Sequence, residues 1–314
     1  MLEKIKHKKA ICLILGFVIL LLLTSYLVSP DEGEVYDIIS TRRKIEDLRL
    51  ERKDSIDVIF AGDSLVFRDI SPLRIWEKSG ITSYDLSDGA MRLCDQCVLI
   101  RNFCRRQSPK LLVLEADIMT KEASPYKDDF AIPTNLIERI FPIFHYHTFY
   151  KGLGLFGEYK GAAATKGYQP EETVEPYEGR TDYMEAEAEP VEIGERNLIY
   201  LKRIVDFCEK NDIELLILAL PSPGNYNKEV NKAVQRWADD NGVSFTDLNY
   251  ECDDIGIDWL TDTKDGGDHL NRKGAEKVSD YLAGFFSENY TLTDHRDDPE
   301  YSDWKILRAL PSEW

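Results

Sequence analysis

Three short runs of almost unbroken apolar residues, Val58-Ile59-Phe60-Ala61, Leu111-Leu112-Val113-Leu114 and Leu215-Leu216-Ile217-Leu218, leave this chain few architectures. Each is bounded by polar residues, and none alternates polar with apolar. A strand that is apolar on both faces must be covered on both faces, which a parallel sheet between helices achieves. Five strands are expected: Asp57–Ala61, Ser83–Leu86, Leu111–Ala116, Ile213–Leu220 and Val243–Leu248. Between and after them, apolar residues recur at helical spacing: Leu198, Leu201, Val205 and Cys208; Val230, Val234 and Trp237; Ala275, Val278, Leu282 and Phe285. The alternation predicts an α/β sandwich. No internal repeat is present.

One stretch interrupts the alternation. Residues 121 to 195 hold an aromatic half, "FPIFHYHTFYKGLGLF", expected to pack near a site. An acidic half follows, around "EETVEPYEGRTDYMEAEAEPVE", expected to be a mobile surface loop.

The amino terminus follows different rules. Ala10 to Val28 is uncharged, and at 1.5 Å per residue its 19 residues approach the ~30 Å of bilayer hydrocarbon. Lys4, Lys6, Lys8 and Lys9 precede it, which orients the terminus to the cytoplasm and the remainder outside. No small-x-small cleavage site follows, so an uncleaved anchor is expected rather than a signal peptide. The expected division is a basic tail (1–9), a transmembrane anchor (10–28) and a charged stalk (29–54). A main domain (55–286) and a C-terminal extension (287–314) complete it.

Charge narrows the partners. The net charge is −18, and removing the first 28 residues, four Lys against Glu3, makes it −21. Nucleic acid is thereby excluded as a ligand, since its phosphates demand a basic surface. Of six cysteines, Cys94, Cys97 and Cys104 share a helical face with Leu93 and Ile100 and read as buried thiols. His145 and His147 form an H-x-H pair without further ligands, so no metal site or cofactor is expected; His147 is a candidate substrate contact.

The chemistry-bearing residues lie at two distant places. The first apolar run leads into Gly62-Asp63-Ser64-Leu65, presenting Ser64 at a strand end. Downstream, "DTKDGGDHLNRKGA" (262–275) places His269 just before the last amphipathic helix. In a doubly wound sheet both loops open beyond the carboxyl ends of the strands. A serine hydroxyl needs a base to become a nucleophile, imidazole can take and return that proton, and a carboxylate can orient the imidazole. Asp265 and Asp268 are both candidates for the carboxylate. Asp265 is preferred because Gly266-Gly267 can loop out, whereas adjacent side chains such as Asp268 and His269 diverge. Asn271 reads as a helix cap and Asp63 as structural.

With "GDSL", a glycine after the second strand and an Asp-His pair before the terminal helix, the chain resembles the SGNH/GDSL hydrolase superfamily. The resemblance covers about residues 55 to 286 outside the insertion. It implies a three-layer α/β/α sandwich of flavodoxin-like layout, here preceded by one transmembrane helix. It also implies Ser64 as nucleophile and oxyanion donor, Gly89 as a second oxyanion donor and His269 as base. Two departures stand out. Gly266 occupies the usual aspartate position three residues before the histidine, and "LLVLEADIMTK" lacks the asparagine of the third block. With the anchor, these features are similar to membrane-anchored SGNH proteins of the cell envelope, of the D-alanyl-lipoteichoic acid and alginate O-acetylation kinds. That branch implies an acylated envelope glycopolymer as substrate and a multi-spanning O-acyltransferase as partner. It leaves esterase and acyltransferase chemistry both open, with a non-catalytic envelope scaffold as the alternative.

Overall fold

The computed structural model describes residues 2–28, 51–121 and 165–309. Helix α1, Leu2–Val28, carries the basic tail and the apolar run on one helix. Its side chains are described from Lys8 to Thr24, and Ile11, Leu13, Phe17 and Leu20 among them are more than half exposed. Among the described residues no helix is long and apolar enough to cross a membrane, so the anchor expected over 10–28 finds no support in the fold.

The remainder is built on five strands: β1 Val58–Gly62, β2 Ser83–Ser87, β3 Leu111–Glu115, β4 Glu214–Ala219 and β5 Ser244–Asp247. They form one sheet in the order β2-β1-β3-β4-β5, with every pairing parallel. The strands β1 and β3 are buried along their whole length, as runs apolar on both faces require, and the more polar β2 (SYDLS) is buried as well. Strand β5 lies at an edge, is only half-buried and has the most polar sequence, SFTD.

Helices α2 (Ser64–Asp69) and α3 (Pro72–Ser79) connect β1 to β2, and α8 (Arg272–Asn289) packs against both. Helix α4 (Leu93–Phe103) packs against α5 (Glu195–Lys210), the two touching β1 and β4 respectively. Helix α6 (Lys228–Asn241) covers β5, and the short α7 (Cys252–Ile255) touches α8. On α8 the predicted stripe holds for Ala275, Val278 and Leu282, but Phe286 rather than Phe285 is fully buried, against Phe60. At ~3.6 residues per turn Phe286 lies about three turns after Ala275 and in phase with it, whereas Phe285 falls to the edge of the stripe. Cys94 and Cys97 are buried thiols on α4, and burial pushes the Cys97 thiol up to about 11.

The folded body extends past both limits expected for the main domain. Glu51 forms a buried ion pair with Lys166 at 2.8 Å. The Lys166 ammonium also lies 4.5 Å over the ring of Trp304 in α9 (Ser302–Ala309). Trp304 is 1% exposed and packs on Trp76 of α3, so the C-terminal extension is part of the core.

The segment expected to be a mobile acidic loop is instead strapped to the body where it is described. The Glu175 N–H donates to the Thr263 carbonyl, Gly266 N–H to Glu175, Tyr177 N–H to Trp259, and Arg272 N–H to Glu171. Gln169 N–H reaches Phe67 of α2. Composition suggested solvation, but backbone pairing does not depend on side-chain polarity, and the glutamates simply face outward.

Candidate functional site

Strand β1 ends at Gly62, whose missing side chain matters: a Cβ there would stand 2.5 Å from Val66 and 2.7 Å from Glu115. Asp63 caps α2 by accepting the N–H of Leu65 at 3.1 Å, and its other oxygen pairs with Lys121. Ser64 is therefore the first residue of a helix, with its N–H at the positive end of that helix.

His269 reaches Ser64 across 205 residues of sequence, Nε2 lying 2.8 Å from Oγ. Its Nδ1 is 2.8 Å from Asp265 Oδ2, and its backbone N–H donates to Asp265 Oδ1 at 2.7 Å. With the proton on Nδ1 held by the carboxylate, Nε2 is left to accept from the serine hydroxyl. Asp268 stands farther off, 3.5 Å from Nδ1, and its side chain is taken by Asn225. The structure thus brings Asp265, rather than Asp268, into line behind the imidazole.

Two glycines make that arrangement possible. Gly266 and Gly267 have φ of +69° and +95°, values disfavoured for residues with a Cβ. They fold the chain back so that Asp265, four residues ahead of the histidine, caps its N–H. The loop closes through an antiparallel bridge between Thr263 and Leu270. Thr263 Oγ1 donates to the His269 carbonyl and accepts the Gly267 N–H. The turn after β4 grips the other flank: Ser222 Oγ donates to the Asp268 carbonyl, and Gly224 N–H to Gly267.

Asp69, at the end of the helix that Ser64 begins, accepts the N–H of Leu270 at 2.9 Å and is fully buried. It ties the serine helix to the histidine loop. Burial holds its carboxyl well above the ordinary range, a shift reinforced by Asp265 and Asp268. Asp265 goes the other way. Burial would raise its carboxyl, but hydrogen bonds from Lys264 and from His269 outweigh that and hold it low. The sequence reading missed Asp69, Lys264, Ser222 and Asn225. Only Asp69 had a local signal, an acidic residue five places after Ser64, following Arg68 in the short helix SLVFRD.

Gly89 lies beyond β2, and its N–H donates to the Asp88 carboxylate at 2.7 Å, so the expected oxyanion donor is engaged within its own turn. At the end of β3, beside the stretch that lacks the third-block asparagine, Glu115 is buried and accepts the N–H groups of Asp117 and Ile118. Asn197 of α5 is buried but committed, donating to the carbonyls of Met119 and Lys121. Asn271 caps α8 by accepting from Lys273 and Gly274. His145 and His147 lie outside the described residues.

No protein-family model matches the chain, and no curated protein does. Solved structures do resemble it. One is a GDSL-like lipase from Bacteroides thetaiotaomicron, at 10% identity and TM-score 0.41, covering 79% of this chain and 98% of that one. Another is a psychrotrophic esterase from a Pseudoalteromonas species, at 10% identity and TM-score 0.39, covering 74% and 98%. A third is a lipase/acylhydrolase from Enterococcus faecalis, at 9% identity and TM-score 0.36, covering 76% and 99%. Likenesses this distant leave the functional argument to the site itself.

Proposed function

We propose that this protein is a serine esterase-type acyl hydrolase working through an acyl-serine intermediate. The observation that supports it is the unbroken line Ser64 Oγ–His269 Nε2, His269 Nδ1–Asp265, at 2.8 Å for each link. In this reading His269 takes the Ser64 proton as Oγ attacks an ester carbonyl. The tetrahedral oxyanion forms beside the Ser64 N–H, and the Gly89 N–H joins once the Asp88 carboxylate releases it. Collapse expels the alcohol, which takes the proton back from His269. A water then repeats the cycle on the acyl-serine, or a polymer hydroxyl takes its place and the reaction is an O-acyl transfer.

The finer setting is part of the proposal. The apolar run 10–28 behind its lysines anchors the protein with its acidic body outside the cell. The substrate is then an acylated cell-envelope glycopolymer, and a multi-spanning O-acyltransferase is the natural neighbour. One observation favours the alternative of a non-catalytic envelope scaffold: the Gly89 N–H already spent on Asp88.

Exposure of the full-length protein to a fluorophosphonate, followed by intact-mass analysis, tests the reaction. A single adduct is expected, absent in Ser64→Ala and at least about 100-fold slower to form in His269→Ala. No adduct on folded protein would favour the scaffold. The same labelling in cells locates the protein, and an adduct recovered wholly in the soluble fraction would remove the anchor.

A further inference from the structure

Lys264 is placed on the carboxylate oxygen that faces His269 Nδ1. Its Nζ lies 2.8 Å from Asp265 Oδ2, the same oxygen that faces His269 Nδ1 at 2.8 Å. Ammonium and imidazole nitrogen share that oxygen, so twice 2.8 Å puts them at most 5.6 Å apart. The backbone holds Lys264 there as well, since its N–H donates to the His269 carbonyl at 3.1 Å. With its side chain 20% exposed, the cation is only partly screened by water.

We propose that Lys264 is a positioning residue that sets the pH range over which the Ser64–His269 pair is reactive. The inference rests on the proposed reaction for its kinetic consequence. Its physical basis is independent of that reaction. A carboxylate alone behind an imidazole favours the imidazolium, and a protonated imidazole cannot take the serine proton. A fixed cation on the same carboxylate offsets that negative charge and repels the imidazolium. It also caps the carboxylate, keeping it aimed at Nδ1.

The other groups around the imidazole do not supply this balance. From its own loop come Asp265 and Asp268, and from α2 Ser64 and the buried Asp69. The turn after β4 offers the neutral Asn225 and Ser222, and the strap meets the loop through the Glu175 backbone and the Tyr177 ring beside Gly267. Behind Ser64 stands the Asp63–Lys121–Asp117 group, in which Lys121 pairs with both carboxylates. Lys264 is the cation in direct contact with the Asp265 carboxylate.

Ring-proton NMR of the full-length protein tests this directly. The chain has five histidines, and the His269 signal is identified by its loss in His269→Gln. In Lys264→Met its titration midpoint is expected to rise by about one pH unit, and in Lys264→Arg to stay within about 0.3. The acid limb of fluorophosphonate labelling should move up by the same amount in Lys264→Met. His295, paired with Asp57 at the opposite end of β1, is an internal reporter of an intact fold. Lys264→Gln serves as the second neutral variant if the methionine is poorly tolerated. An unmoved His269 midpoint in a folded neutral variant overturns the proposal, as does an equal shift in Lys264→Arg. If wild type forms no adduct, the proposed reaction fails, while the titration still decides the role of Lys264.

Discussion

Asp265 and Asp268 show how a few tenths of an ångström separate two side chains of the same type. Both lie near His269, but Asp265 makes two contacts to it, at 2.7 and 2.8 Å, whereas Asp268 stands at 3.5 Å and is engaged by Asn225. Asp265→Asn keeps the shape but can donate where it should accept, favouring the wrong tautomer of His269. Labelling of Ser64 should fall by roughly 10³–10⁴-fold, and Asp268→Asn should change it by less than about threefold. The reverse order of effects would move the triad carboxylate to Asp268.

The histidine loop is held from three sides: by the strap over 169–177, by the turn Ser222–Asn225, and by Asp69 beneath. Gly267 is where the strap and the turn meet. A Cβ there would lie 2.8 Å from the Tyr177 ring and 2.9 Å from Pro223, at a φ of +95°. Gly267→Ala therefore forces either the strap or the turn outward. A loss of about 2–4 kcal/mol in urea unfolding is expected, with slower labelling of Ser64. A variant within about 0.5 kcal/mol of wild type would mean that the strap does not bear on the loop. The acidic strap was misjudged from composition because its acidic residues outnumber the few that anchor it: backbone hydrogen bonds, Tyr177 packed on Trp259, and Tyr183 and Met184 buried in the core.

Across the molecule, buried carboxyls govern stability against pH. Burial raises Asp117 to about 6, outweighing its pairing with Lys121, and holds Glu115 and Asp69 well above the ordinary range. A carboxyl whose folded value is raised binds its proton more tightly when folded. Its contribution is full below the unfolded value near ~3.9 and is lost as pH rises through the folded value. Asp265, Asp280 and Asp294 are held low and act oppositely, losing their contribution only in stronger acid. The melting temperature should thus fall by roughly 5 °C between pH 4 and 7, and Asp117→Asn should flatten that fall. A melting temperature that rises steadily over this range would contradict the assignment.

The parallel sheet was legible along the chain because its three apolar runs, β1, β3 and β4, must be buried on both faces, and the alternation with helices located the polar edge strands β2 and β5. Ser64 and His269 were legible for a related reason: a turn glycine and a helix start each leave a local mark. Asp265 was already favoured over Asp268 by the Gly266-Gly267 pair, but the engagement of Gly89 by Asp88 and the roles of Asp69 and Lys264 had to wait for the fold. The first and last are contacts between neighbouring residues set by loop backbone and side-chain rotamer, whereas Asp69 meets Leu270 across 201 residues; all depend on placement to within an ångström or less. Hydrogen bonds and charge pairs fall off over that distance, and no spacing in sequence encodes it.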